Sequence, residues 1–211
     1  GLEETVRVAH ARAVPVIVDA AAEVPPRANL TKFHEQGADM VAFSGGKGIG
    51  GPQSSGLLAG KKELMEAVWL NSLNLESPIA AIGRPMKVSK ENIVGLVTAL
   101  QLFTDSDETA EWDGWVSKAN YVAERLSGIK GIRVTLEGSE EKRQGPQPIL
   151  YFEDGYDGPS IAEIKEQLEN GDPGIYVGGG RRNEIAIVMV NVQDGEEIEI
   201  ADRMNEILRN G

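Results

Sequence analysis

The apolar positions of the first hundred residues follow two alternating patterns, which predict alternating helices and strands. Apolar side chains recur every three or four positions, as on one face of a helix, in residues 2–13, 29–37 and 61–70. Short, nearly unbroken apolar runs occupy residues 16–18, 40–43 and 56–60. Such runs are typical of strands that are buried on both faces of a parallel sheet. The first half therefore predicts an α/β layered domain with a mostly parallel sheet.

The second half of the chain predicts a different, smaller domain. A helix over 89–103 begins after a serine cap and is followed by an acidic link, 104–111. Trp112 and Trp115 open the apolar stripe of the next helix, so we interpret both as core anchors. Further strands are predicted at 132–136, 149–152 and 185–190, and further helices at 159–169 and 196–209. This order indicates a small α+β domain with an antiparallel sheet, and we place the boundary after residue 105.

The composition restricts the classes of function. Lys and Arg number 21 against 33 Asp and Glu, a formal net charge of −12, which argues against a broad nucleic-acid-binding surface. The chain has no cysteine and only two histidines, which excludes disulfides, thiolate metal sites and a multi-histidine metal centre. No apolar run approaches the roughly 20 residues that cross a bilayer. We therefore expect a cytoplasmic protein without a metal, a membrane partner or a nucleic-acid partner.

Two residues with reactive side chains follow strands of the predicted parallel sheet. Asp19 ends the first apolar run, and Lys47 lies in a glycine-rich loop, 44–53, after the second. The carboxyl ends of neighbouring parallel strands meet at one edge, where open α/β sheets bind their ligands. Taken singly, each residue has an ordinary structural explanation, a turn cap for Asp19 and a solvated loop lysine for Lys47. Taken together, they favour a functional site.

Pyridoxal phosphate catalysis needs one lysine and one carboxylate in this arrangement. The lysine amine forms a Schiff base with the aldehyde of the cofactor, and the carboxylate keeps the pyridine nitrogen protonated. The Ser44 hydroxyl and the unobstructed amides of the glycine-rich loop suit a phosphate group. A rival Ser-x-x-Lys acyl-transfer site, with Ser44 as nucleophile, lacks its companion Ser-Asp-Asn and Lys-Thr-Gly motifs. A P-loop motif is absent from the sequence.

A resemblance to a known family is carried by the segments PVIVDAAAE (15–23), DMVAFSGGKGIGGPQSSGLLAG (39–60) and GRPMKVSKENIVGLVTAL (83–100). They resemble the selenocysteine synthase-like family of fold-type-I pyridoxal phosphate enzymes, and within it the D-glucosaminate-6-phosphate ammonia-lyase branch. The resemblance implies the C-terminal half of a family member. Residues 1–105 would then be the end of the cofactor-binding large domain and residues 106–211 the small domain. On that basis we expect this chain alone to bind the cofactor weakly or not at all.

The resemblance also implies roles for individual residues. Lys47 is implied as the Schiff-base lysine, Asp19 as the partner of the pyridinium nitrogen, Ala21 as a ring contact, Ser44 as a phosphate contact, and Gln53 and Arg84 as neighbours of cofactor or substrate. Arg84 is equally well explained as a surface charge beside a helix.

Further cations are candidates for binding the substrate. Arg84 and Lys87 are the nearest basic residues for a distal phosphate of the substrate, with exposed loop charges as the alternative. Arg181 and Arg182 follow a glycine cluster and are candidates for binding the substrate carboxylate, with a charged hairpin tip as the alternative.

Three functions remain open. The first is a lyase that eliminates ammonia and water from an amino sugar acid phosphate. The second is a seryl-tRNA selenium transferase, against which the net charge of −12 and the absence of a Lys/Arg-rich block argue. The third is a non-catalytic fragment that keeps the motif but cannot hold the cofactor, which the colour of the purified protein would reveal. The resemblance further implies a small-molecule substrate and a homo-oligomer, because family sites form across subunit interfaces.

Overall fold

The computed structural model describes residues 1–72, 81–138, 145–179 and 183–210. The chain divides into two compact units, Gly1–Ser106 and Asp107–Gly211. Each unit has its own sheet and its own hydrophobic core. Within the described residues, no helix combines the length and the apolar character needed to cross a membrane.

The N-terminal unit contains a three-stranded sheet and four helices among its described residues. Its elements are α1 Leu2–His10, β1 Ile17–Asp19, α2 Asn29–Glu35, β2 Met40–Ser44, β3 Gly56–Gly60, α3 Lys62–Asn71 and α4 Lys90–Asp105. The strand order is β1-β2-β3, with β2 parallel to β1 and antiparallel to β3. The α/β class predicted from the apolar pattern is confirmed.

The described part of this sheet is mixed, whereas the apolar runs predicted a mostly parallel sheet. The chain passes from β1 to β2 through the helix α2, which returns it to the edge where β1 began. The connection from β2 to β3, residues 45–55, contains no helix. A parallel neighbour needs a crossover connection, so β3 starts where β2 ends and runs back beside it. β3 is only half-buried at its centre, so its apolar run did not report burial on both faces, and the pattern alone did not distinguish a parallel from an antiparallel strand.

The core of the N-terminal unit surrounds β2. Val41 and Phe43 of this central strand are buried, together with Ile49 of the loop that follows it. Leu96 and Leu100 of α4 pack against this cluster. The loop after β2 is therefore covered by a helix that begins some forty residues later in the sequence.

The C-terminal unit is a four-stranded antiparallel sheet packed against helices. Its elements are α5 Glu108–Arg125, β4 Ile132–Glu137, β5 Gln147–Phe152, α6 Ile161–Glu169, β6 Gly178–Gly179, β7 Glu184–Ala186 and α7 Glu196–Asn210. The strand order is β4-β5-β7-β6, and every pair is antiparallel, as the alternating pattern predicted. Leu126, Leu150, Ile164, Ile185 and Met204 are fully buried at the centre of its core.

The acidic stretch 104–111 belongs mainly to helices, whereas the sequence predicted a link. α4 continues to Asp105, and Asp107 caps α5 by accepting a hydrogen bond from the Ala110 N–H at 3.1 Å. Acidic side chains stabilise the first turn of a helix, because they complement its dipole and its unpaired N–H groups. The acidic residues that suggested a polar linker therefore stabilise the N-terminus of α5.

Two other expectations for this half change in detail. The strand predicted at 185–190 ends at Ala186, and a 3-10 turn follows at Met189–Asn191. The run is apolar because its side chains enter the core, whatever the backbone conformation. Trp115 packs against the core as predicted, while Trp112 is half-buried and meets the Trp115 ring edge-on at 6.4 Å between centroids.

Candidate active site at the edge of the N-terminal sheet

The edge where β1 and β2 end carries four of the predicted site residues, Asp19, Ala21, Ser44 and Lys47. Asp19 is the last residue of β1 and lies in register with Ala42 of β2. The next residue, Ala20, donates its N–H to the Ala42 carbonyl at 2.8 Å. β2 ends at Ser44, and Lys47 lies three residues further on. Since the two strands are parallel, Asp19 and the loop of Lys47 leave the sheet at the same edge.

The Asp19 carboxylate has a structural role and a free oxygen. Its Oδ1 accepts a hydrogen bond from the Ala21 N–H at 3.0 Å, which caps the turn that follows β1. The side chain is exposed, and its Oδ2 has no partner among the described residues. The turn-cap explanation is thus correct for one oxygen and leaves the other available to a ligand.

The loop that carries Lys47 is closed by its own hydrogen bonds. The Gly45 N–H donates to the Ser55 carbonyl at 2.9 Å, and the Gly51 N–H donates to the Gly45 carbonyl at 2.7 Å. The Gly50 N–H donates to the Lys47 carbonyl at 2.8 Å, and Gly50 has a φ of 75°, which favours glycine. These bonds fix the backbone on both sides of the lysine.

The Lys47 side chain leaves this hydrogen-bonded backbone and is solvent-exposed. No hydrogen bond or ion pair joins it to another described residue. Ser44, at the end of β2, is half-buried and its hydroxyl likewise has no partner in the described part of the chain. An amine and a hydroxyl of this kind are free to engage a ligand.

Close backbone contacts anchor the Lys47 loop to the segment that follows Asp19. Gly48 packs so tightly against the Val24 carbonyl that a Cβ at this position would overlap it. Ile49 is only 4% exposed and inserts into the core of the unit. The loop therefore cannot shift away from the chain that leaves β1 without uncovering the core.

Helix α4 covers the same loop from the other side. Leu96 lies against Gly45, and Gly95 packs on the Pro52 ring, where a Cβ would come within 2.7 Å. At the start of α4, the Asn92 side chain donates a hydrogen bond to the Ser54 hydroxyl at 2.8 Å. Sequence reasoning did not identify Asn92 or Ser54. A polar residue in the first turn of an apolar helix was the only signal for this contact.

The remaining predicted residues are placed as follows. Gln53 is exposed, and its Nε2 donates to the Gly46 carbonyl at 2.9 Å, within the loop. Arg84 and Lys87 are exposed in the segment between α3 and α4, and neither side chain has a partner among the described residues. Arg181 and Arg182 lie outside the described residues.

A buried carboxylate at the opposite end of β2 has a structural role. Asp39 is 3% exposed and accepts hydrogen bonds from the Val16 N–H at 2.6 Å and from Lys61 Nζ at 2.6 Å. His10 Nε2 also lies 2.8 Å from the same carboxylate. The Lys61 ammonium is the main reason why the pKa of Asp39 lies well below its usual range. This cluster joins α1 and β3 to the sheet and lies away from Lys47.

A separate cavity of about 680 Å³ lies within the C-terminal unit. Its lining combines apolar side chains, including Ile175, Ile187 and Ile200, with the acidic residues Asp194, Glu196 and Glu199. None of the predicted site residues that the structure describes lines it. Its acidic side chains are engaged by neighbours, as in the Lys118–Asp194 pair at 2.8 Å.

The side chains at the Asp19 edge fit pyridoxal phosphate as a set. A lysine amine, a carboxylate oxygen and a serine hydroxyl, none with a partner among the residues that the structure describes, lie where two neighbouring parallel strands end. The Lys47 backbone is held in place by packing and hydrogen bonds, as a covalent attachment point requires. The donor types match the aldehyde, the ring nitrogen and the phosphate of the cofactor.

Comparison with known proteins identifies the class. The model of the class V aminotransferase family matches residues 1–193, and the chain belongs to this family. The family consists of pyridoxal phosphate-dependent enzymes. The selenocysteine synthase-like resemblance is confirmed, because the relatives include ammonia-lyase and selenium transferase proteins.

Three relatives illustrate the similarity. A 5'-C-glycyluridine monooxygenase-decarboxylase from a Streptomyces species is 30% identical over 98% of this chain and 49% of its own length. The D-glucosaminate-6-phosphate ammonia lyase of Salmonella typhimurium is 30% identical over 98% of this chain and 52% of its own length. The L-seryl-tRNA(Sec) selenium transferase of Solidesulfovibrio magneticus is 26% identical over 73% of this chain and 35% of its own length. The chain thus spans about half the length of the first two relatives.

Solved structures agree with this assignment. A D-glucosaminate-6-phosphate ammonia-lyase matches the whole chain with a TM-score of 0.69 and 29% identity, over 53% of its own length. An alanine–glyoxylate aminotransferase from a Nostoc species matches with a TM-score of 0.62 and 19% identity, over 99% of this chain and 58% of its own length. The second similarity shows the fold alone, and this fold is type I of the pyridoxal phosphate enzymes.

Proposed function

We propose that this chain supplies the lysine-bearing part of the active site of a pyridoxal phosphate-dependent lyase acting on an amino acid. The observation that carries the proposal is Lys47, which has no partner in the described part of the chain and is held by a hydrogen-bonded glycine-rich loop at the same sheet edge as Asp19. A solvated surface lysine needs neither a closed loop nor a neighbouring strand-end carboxylate. Membership of the class V family supports the choice of cofactor.

Each site residue has a proposed role in holding the cofactor. Lys47 Nζ would attach it covalently, and the free oxygen of Asp19 would accept a hydrogen bond from the ring nitrogen. The Ser44 hydroxyl and nearby loop amides would bind the phosphate. Ala21, whose N–H already orients the Asp19 carboxylate, offers a small side chain for contact with the ring.

The reaction proposed is elimination from a 2-amino-3-hydroxy acid. Pyridoxal phosphate, when bound, supplies the electron sink that makes the proton on C2 acidic. Lys47 is the group of this site that can take that proton as a general base, because its amine has no competing partner in the described part of the chain. The C3 hydroxyl would leave as water with that proton while a C2–C3 double bond forms. A proton shift to C3 would then give a C2=N bond, whose hydrolysis by one water gives a 2-keto acid and ammonia.

A distal phosphate on the substrate is the more specific part of the proposal. Arg84 and Lys87 are exposed, without side-chain partners among the described residues, in the segment that leads into α4. α4 in turn contacts the lysine loop through Asn92. A phosphate group binds two neighbouring cations of this kind well. The similarity to a D-glucosaminate-6-phosphate ammonia lyase over 98% of the chain supports this substrate class.

Two other activities are alternatives. The Streptomyces relative, a 5'-C-glycyluridine monooxygenase-decarboxylase, matches the chain at the same 30% identity and favours oxidative decarboxylation of a nucleoside amino acid. Selenium transfer to seryl-tRNA is supported by relatives at lower coverage and opposed by the charge of −12. The cytoplasmic location and the homo-oligomeric state stay predictions.

Borohydride reduction followed by peptide mapping tests the cofactor assignment. In the full-length protein, incubated with pyridoxal phosphate, we expect the label on Lys47 and its loss in Lys47→Ala. Lys62→Ala, which removes an exposed lysine elsewhere in the unit, is the matched control and should keep the label. A label on another lysine, or none, would contradict the proposal.

Three parallel assays test the reaction. We expect the full-length enzyme to release a 2-keto acid and ammonia from D-glucosaminate 6-phosphate. 5'-C-glycyluridine and seryl-tRNA with a selenium donor are the competing substrates. Activity only with one of these would replace the lyase by that alternative, and Lys47→Ala should abolish whichever activity is present.

A further inference from the structure

The side chain of Gln53 is already engaged by the loop that carries Lys47. Its Nε2 donates to the Gly46 carbonyl at 2.9 Å. A Cβ on Gly46 would lie 2.5 Å from Gln53 Cα and 2.9 Å from its Oε1, so the two residues are in close contact. Gly46 is the residue directly before Lys47. The amide that the resemblance placed near the cofactor or substrate is therefore bonded to the backbone beside the lysine.

The orientation of the Gly46 carbonyl affects the direction of the Lys47 side chain. The Gly46 carbonyl and the Lys47 N–H belong to one planar peptide unit, so fixing the carbonyl direction fixes the first bond toward Lys47 Cα. Lys47 is flanked by Gly46 and Gly48, and glycine has the greatest backbone freedom of any residue. Without a brace on this peptide, rotation at the glycines would redirect the lysine side chain.

The residues next to Gln53 are held by α4. Ser54 accepts the hydrogen bond from Asn92 at 2.8 Å, and Pro52 packs on Gly95. Gln53 thus lies between two residues that α4 fixes, and its amide reaches back across the loop to Gly46. The contacts form a continuous series from α4 to the peptide that precedes Lys47.

We propose that Gln53 is a positioning residue that sets the direction of the Lys47 side chain, with Asn92 holding Gln53 in place through Ser54. Gln53 then acts on Lys47 through the backbone and does not contact the substrate. This inference rests on the proposed role of Lys47 as the attachment point of the cofactor. Loss of the Gln53 amide would slow cofactor capture by Lys47 and turnover without changing the affinity for the amino acid substrate.

The first experiment compares Gln53→Ala, Gln53→Glu and Asn92→Ala with Gln101→Ala, a matched control on an exposed glutamine of α4. In the full-length protein, the rate at which Lys47 captures pyridoxal phosphate is followed by borohydride quenching. We expect about a tenfold decrease for both Gln53 variants and a smaller one for Asn92→Ala, as the loss of one hydrogen bond allows. With D-glucosaminate 6-phosphate, kcat should fall similarly while KM stays within about twofold.

The second experiment needs no cofactor. Amide hydrogen exchange is measured in the cofactor-free full-length protein at Gly50 and Gly51, whose N–H groups close the loop. Gln53→Ala should raise exchange at these two amides about tenfold and leave the middle of α4 unchanged. Gln101→Ala should leave all of them unchanged.

The outcomes separate the inference from the proposed function. A raised KM with normal capture of the cofactor would make Gln53 a substrate contact and overturn the inference. Unchanged loop exchange in Gln53→Ala would overturn it as well. If the wild-type protein captures no cofactor at Lys47, the proposed function fails, and the exchange measurement still decides whether Gln53 braces the loop.

Discussion

At the scale of single residues, the site depends on what each polar group is already bonded to. Asp19 uses one carboxylate oxygen to cap a turn and leaves the other without a partner in the described chain. Lys47 is exposed and has no partner among the described residues, whereas Lys61 is paired with the buried Asp39. Lys87 also lacks a partner in the described part of the chain, and Lys47 is the reactive candidate because its loop leaves the sheet at the same edge as Asp19.

Asp19→Asn should separate cofactor binding from chemistry. The asparagine keeps an oxygen for the Ala21 N–H but no longer carries a charge that holds the proton of the ring nitrogen. We expect borohydride labelling at Lys47 to persist in the full-length protein, and kcat to fall about a hundredfold or more. Asp113→Asn, on an exposed position of α5, is the control. Full activity of Asp19→Asn would disprove the assigned role.

Asp39 should contribute to the acid stability of the N-terminal unit. Its folded-state pKa is lowered, so its contribution to the free energy of unfolding is complete above the ordinary pKa of about 3.9. It is lost as the pH falls from there toward the folded-state pKa. Asp39→Asn should therefore lower stability at pH 7 by about 2 kcal/mol and less at pH 3. Urea unfolding at both pH values measures this, and an equal loss at both would contradict it.

At the scale of elements, the loop from Gly45 to Ser55 behaves as a packed element although it has no regular structure. Its hydrogen bonds, the buried Ile49 and the cover of α4 hold it on the sheet. Its glycines allow the backbones to approach closely at Gly48 and a positive φ at Gly50. A loop rich in glycine is thus rigid here because of its contacts, not its composition.

Gly48→Ala should test this packing. The added methyl group would overlap the Val24 carbonyl. This group belongs to the backbone, which cannot move aside as easily as the end of a flexible side chain. We expect a loss of about 2 kcal/mol in the free energy of unfolding and a lower labelling of Lys47. Gly114→Ala is the matched control, because its Cβ meets open space within a helix, and it should stabilise by about 0.5–1 kcal/mol. Equal stability of the two variants would contradict the packing argument.

At the scale of the whole molecule, the N-terminal unit exposes several large apolar side chains. Ile82 and Met86 are 81% and 73% exposed, and Val94 and Val97 of α4 are also exposed. β1 is an edge strand of the described sheet, and its Ile17 is exposed as well. Large apolar patches on soluble proteins mark interaction surfaces. The chain also spans only about half the length of the first two relatives named above.

Residues 1–211, produced alone, should self-associate through this surface. We expect the sedimentation coefficient to rise with protein concentration, because burial of apolar side chains drives association. Replacing Val94 and Val97 by lysine should reduce the association, while Ile198→Lys on α7, an exposed position of the C-terminal unit, should not. A monomer at every concentration tested would refute the prediction.

The sequence by itself determined the α/β class, the antiparallel small unit and the strand ends that carry Asp19 and Lys47. These follow from local patterns, because burial on one or both faces leaves a period in the chain. Only the tertiary structure decided that β3 runs antiparallel to β2, since connection geometry rather than apolarity sets strand direction. It alone joined Asn92 to Ser54 and directed the Gln53 amide to Gly46. Such contacts depend on how a helix packs on a loop some forty residues away, and no local pattern encodes them.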